Sequence, residues 1–221
     1  MADSPIATAA DYADAMLTAR SAKNALFLVL LVLLLLQLAI FFLYRYEIVQ
    51  FTPSLVRRPA PAATTTSTTS PTTVRAVIVQ QSVMELLLTY LVGLTDFLGV
   101  VLTVVLALVL LLLVNIMLVG RLIGVAGVTS AYIWTLILLV LVFPWQAFLG
   151  PYAFKLPGVL YTWDELINNA RWQDLTLPEA ILRWSRFVVM PLVAVIILMA
   201  IQIKSVRGIR QALGEGVDVA V

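Results

Sequence analysis

Neither cysteine nor histidine occurs anywhere in the 221 residues of this chain. Without cysteine there is no disulfide, no thiolate nucleophile and no iron–sulfur ligation. Without histidine the chain lacks the commonest transition-metal and axial haem ligand, and the side chain best suited to moving protons near neutral pH. Charge is scarce as well. Asp, Glu, Lys and Arg make up 12% of the residues, where a soluble domain carries roughly twice that share to wet its surface. The 14 basic and 12 acidic side chains nearly cancel, so no extended basic surface for nucleic acid is expected. Also missing are a Walker-type glycine loop, a GxSxG elbow, an HExxH pair and an EF-hand loop. Ser130 and Ser185 have no histidine to activate them, and no lysine stands in an expected span to replace it. Asp164 and Glu165 read as the acidic start of a helix. No cofactor, metal site or catalytic group is expected.

What is present is hydrocarbon. The chain is 62% hydrophobic with a mean hydropathy of +1.04, so lipid must be the solvent for most of its surface. The expected fold is an all-α integral membrane protein with four transmembrane helices, an amphipathic N-terminal helix and an outer interfacial helix.

The pattern divides the chain as follows. Residues 1–24 open with Ser4-Pro5, a cap followed by proline at the first helical position. Ile6, Ala9, Ala13, Met16 and Leu17 then recur at helical spacing, as in a short surface helix; the alternative is a loosely ordered tail. The first span is 25–44, apolar except for Gln37; its twenty residues rise about 30 Å, the thickness of the hydrocarbon core. An outer loop, 45–85, has a Pro/Ser/Thr-rich middle that cannot bury enough apolar surface to order itself. Its edges, 47–52 and 73–79, are rich in β-branched residues and are expected to pair as a small β-hairpin, or the second edge to begin the next helix. Residues 86–118 form a long apolar helix whose span proper is placed at 97–118. A short connection, 119–130, leads to a third span at 131–150. The second outer loop, 151–186, carries two capping boxes, Thr162-Trp-Asp-Glu165 and Thr176-Leu-Pro-Glu179. The first opens a short helix with exposed aromatics along the interface, and the second leads into the fourth span, 187–203, which Pro191 should kink. The tail is 204–221.

Arg20, Lys23, Arg121, Lys204, Arg207 and Arg210 collect on one side of such a bundle, and the positive-inside rule makes that side cytoplasmic. Tyr44, Tyr46, Trp145, Tyr152, Trp163, Trp172 and Trp184 collect on the other as an aromatic belt. The abundance of arginine over lysine fits a GC-rich bacterial genome, and hence a bacterial cytoplasmic membrane.

Four sets of residues are candidates for function. Asp96 is the one acid in a long apolar stretch; it is either an ion or proton site or a carboxylate wetted at the outer rim of the second span, and the span placement favours the rim. Gln37, Asn115 and Gln146 either line a pore or, the preferred reading, hydrogen-bond between helices at about 0.6–2 kcal/mol each. Gly120, Gly124 and Gly127 are spaced for close helix packing or for a flexible turn. Lys204, Arg207 and Arg210 share nearly one helical face, which either docks anionic lipid headgroups or, the preferred reading, gives ordinary positive-inside anchoring. The composite expectation is a non-catalytic multi-pass subunit that packs with copies of itself or with other membrane proteins. The alternative is an oligomeric channel or transporter with Asp96 and Asn115 along its path.

Overall fold

A computed structural model describes residues 9–46, 83–143, 145, 158–170 and 177–214. About 90% of these residues are helical, and no strand occurs among them. The segments 47–52 and 73–79 lie outside the described residues, so the expected small hairpin gains no support. The helices are α1 (Ala9–Arg45), α2 (Val83–Val119), α3 (Val125–Val142), α4 (Trp163–Ala170), α5 (Leu177–Trp184) and α6 (Met190–Ala212). A π-helical turn, Ser185–Val189, joins α5 to α6, making one continuous element. Four of these elements are long and apolar enough to cross a membrane: α1, α2, α3 and the α5–α6 unit. The protein is an all-helical integral membrane protein with four transmembrane helices.

The four elements close a ring in which α1 packs on α2, α2 on α3, α3 on α6, and α6 returns to α1. Lipid tails are as apolar as leucine, so the ring is held by close packing and hydrogen bonds more than by escape from water. Leu30, Leu34, Leu106, Leu110, Leu138 and Leu198 fill its centre. Aromatic residues fill one end, where Phe41, Tyr161, Trp163 and Phe187 meet Ile40, Val92 and Leu166.

Several boundaries differ from the expected ones, each for a local reason. The N-terminal turns form no separate surface helix. Nothing between Ala9 and Arg45 breaks the backbone, and Met16 and Ala19 are buried in the main core, so α1 runs through for 37 residues. The connection before α3 is far shorter than 119–130, because Arg121 (φ 47°) and Gly124 (φ 94°) turn the chain with left-handed backbone and α3 starts at Val125. The short helix after Thr162 is present as α4, and the Thr162 hydroxyl accepts from the Glu165 amide as the capping box requires. Of its aromatics, Trp172 lies outside the described residues and Trp163 is not exposed. Trp163 and Leu166 are buried on the bundle end, so α4 turns its apolar side to protein. At Pro191 the missing N–H leaves the Phe187 carbonyl without its usual partner, and the preceding turn widens: Met190 N–H reaches Ser185 O, five residues back.

Candidate functional site

Two polar layers sit inside the apolar ring, one near each end. The layer at the aromatic end begins with Gln37, which is fully buried although it lies in the longest apolar run of α1. Its amide Nε2 donates to Asp96 Oδ1 at 2.6 Å and, at 3.4 Å, to the Thr95 hydroxyl of α2. Asp96 therefore lies level with Gln37, seven residues or about 10 Å short of Tyr44. The apolar stretch of α2 begins before residue 97, and Asp96 meets α1 from within it. The carboxylate is well inside the apolar segment, and α2 is apolar and helical from Leu86 onward.

Above this pair, the segment before α4 crosses the bundle end. Tyr161 OH donates to the Gln37 backbone carbonyl at 2.5 Å. Burial, and then the nearby Asp96 charge, pushes the Tyr161 phenol above its ordinary value, so it remains a protonated donor. Arg186, turned inward by the π-helical turn, forks onto Glu165 of α4: Nε to Oε1 at 3.0 Å and an Nη2 to Oε2 bond at 3.1 Å. The same Nη2 also donates to the Leu160 carbonyl at 3.3 Å. Phe187, next along the turn, stacks on Phe41 with ring centres 5.3 Å apart. The result is a latch that fastens α4 and its leading segment to α1, α2 and α6. Gln37 Oε1 and Arg186 Nη1 remain buried without a hydrogen-bond partner among the described residues.

The layer at the opposite end centres on Lys23. Read from the sequence as a charge flanking the first span, it is 1% exposed, because α1 continues as a helix and turns this position toward α6. Lys23 Nζ donates to Gln202 Oε1 at 2.5 Å, and Gln202 Nε2 donates to Asn24 Oδ1 at 3.1 Å. Of the expected lipid-facing stripe, Lys204 bends to the Ser130 hydroxyl of α3 at 3.0 Å, while Arg207 and Arg210 stay exposed.

The glycine run has a definite use. A Cβ on Gly124 would strike the Gly208 carbonyl of α6, one on Gly127 would meet Gly208 Cα at 3.1 Å, and one on Gly208 would meet Gly124 O at 2.9 Å. Gly124 and Gly127 thus let α3 touch α6 backbone to backbone, whereas Gly120 belongs to the turn. The close contact lies within the chain.

Asn115 stands apart from both layers. It is exposed on the outward face of α2, where the inward positions Leu106, Leu110, Leu113 and Met117 are fully buried. Nineteen residues, about 28 Å of helix, separate it from Asp96, which turns toward α1, so the two do not line one path within a single chain. Gln146 lies outside the described residues. The surroundings of α2 also change along its length. Its stretch Val109, Leu112 and Ile116 faces the α1 turns that carry Asp11, Asp14 and Thr18. At one level of the bundle, then, α1 is polar while α2 still exposes Leu108, Leu111, Leu112 and Leu118.

Among the described residues no three of His, Cys, Asp or Glu converge as metal ligands would. No protein-family model, curated protein or solved structure matches this chain. Sequence reasoning missed Arg186, Glu165, Tyr161, Lys23 and Gly208 as site residues. For Arg186 a signal existed, since it lies five positions before Pro191 in a helix that proline must distort. Glu165 serves twice, its amide in the capping box and its carboxylate under Arg186, and the capping box alone accounts for it in the sequence.

Proposed function

We propose that this chain is a non-catalytic membrane subunit that works by helix packing, in a homo-oligomer or a larger membrane complex. The observation that carries this reading is the outward face of α2. Fourteen large apolar residues from Leu86 to Val119 are exposed there. The helix has 37 residues and is about 55 Å long, against a hydrocarbon core of about 30 Å. Tilting the apolar part into the core would take an angle of about 50°, beyond the usual range of about 0–40°, and α1 and α3 hold α2 along its length. Lipid does not suffice to cover this face, and protein is the natural cover. The polar side chains inside the ring support the same reading, because most of their groups are engaged in bonds that hold the helices together.

The reading puts the chain in a bacterial cytoplasmic membrane with both ends in the cytoplasm, supported by Arg20, Arg121, Lys204, Arg207 and Arg210 at one end of the bundle. Extraction in mild detergent followed by mass measurement is the test. A particle of several copies, or a complex with other membrane proteins, is the expected result; a lone chain that brings nothing else with it sinks the proposal.

A further inference from the structure

The exposed face of α2 carries a seven-residue register that ends on a polar residue. Leu87, Leu94, Val101, Leu108 and Asn115 follow one another at intervals of seven. All five are exposed, the first four at 60%, 54%, 38% and 58%. A strict seven-residue repeat keeps one stripe facing a partner helix that winds around it with a left-handed supercoil, since 3.5 residues per turn replaces 3.6. The positions three and four residues beyond a stripe residue, such as Val104 with Val105 and Leu111 with Leu112, are exposed too and widen the seam.

We propose that α2 pairs with α2 of a second copy of this chain, parallel and in register, with Asn115 opposite Asn115; this rests on the packing role proposed above and names its partner. Three observations favour a second copy over a foreign helix. Two copies inserted alike in one membrane present α2 in the same direction, so a two-fold axis along the membrane normal aligns each heptad position with itself. The one polar residue on the stripe is an amide, which both donates and accepts and so complements its own copy. The exposed stripe carries no charge, and charge complementarity to a different partner is therefore absent from it. A single amide among apolar seam residues is also the device that fixes register and the number of strands in coiled helices. The final turns of α2, level with the polar turns of α1, are the part that lipid covers least, and Asn115 lies among them.

The chain has no cysteine, so single-cysteine variants report contacts without background. Val101→Cys, Leu108→Cys and Asn115→Cys are introduced singly, with Ile196→Cys, exposed on α6, as the control. Each is treated with a mild oxidant in native membranes. The expected product for the three α2 variants is an adduct of twice 24.3 kDa, lost on reduction and absent for Ile196→Cys. In Asn115→Leu carrying Leu108→Cys, the adduct is expected to persist at lower yield, with cross-links spreading to Leu111→Cys as register relaxes. Adducts to a different protein at the α2 positions overturn the second-copy proposal and leave the packing role standing. Dimers that link through Ile196→Cys and not through α2 overturn it in the same way. No adduct at any position, with a single-chain mass in detergent, removes both.

Discussion

Gln37 and Asp96 show how a polar residue survives in an apolar helix. Each alone is costly among hydrocarbon; bonded across the α1–α2 contact at 2.6 Å, they satisfy one another in part. Removing one partner strands the other, at about 1–3 kcal/mol, while replacing both with apolar groups of similar shape costs little. Gln37→Leu and Asp96→Leu are therefore each expected to destabilise the bundle by that amount, and the double variant to be more stable than either. Denaturation in mixed micelles measures it, and additive losses would show that the two side chains do not depend on each other. Both residues were legible in the sequence, as single polar letters in long apolar runs. Their pairing was not, because 59 positions separate them and only packing sets the register of α1 against α2. Lys23 taught the opposite lesson. It read as a charge at the edge of a span, but the rotation of α1 decides where a side chain points, and this one points inward.

Elements meet where their side chains allow. Helices α3 and α6 come together at Gly124, Gly127 and Gly208, and a methyl group on Gly208 would meet the Gly124 carbonyl at 2.9 Å and the Val128 amide nitrogen at 3.0 Å. Backbone does not step aside as a flexible side chain would. Gly208→Ala is expected to cost about 1–3 kcal/mol through overpacking, although alanine is the better helix former. Gly93→Ala is the matched control: nothing lies within 4 Å of its added methyl, and the substitution should hold or raise stability. Equal thermal midpoints for the two variants would show that the α3–α6 contact is loose. The spacing of Gly120, Gly124 and Gly127 announced a close approach but not its partner, since Gly208 sits more than 80 residues away among basic side chains and forms no motif. At α4 the capping box was legible and the latch was not, because the fork from Arg186 depends on the π-helical turn that swings it inward.

For the whole molecule, an even number of crossings puts the two ends together. The first turns of α1 and the last turns of α6 belong to one core that includes Met16, Met117 and Ile209. A cysteine placed near residue 3 and another near residue 218 should be labelled by an impermeant maleimide from the same side of sealed vesicles. Labelling of the two from opposite sides would mean an odd number of crossings and a different fold.

Composition and hydropathy by themselves determined that this chain is helical, that it lives in lipid and that it crosses four times. Those properties follow from the length of apolar runs against the thickness of a bilayer, which neighbouring segments do not alter. Only the tertiary structure decided which side chains face protein and which face outward. It bonded Asp96 to Gln37 across two helices, drew Lys23 inside, turned the glycines of one helix onto another and left Asn115 on an open apolar face. The physical reason is that a helix shows its whole circumference to a sequence reader, whereas burial depends on rotation and register, and these are set by partners far away along the chain.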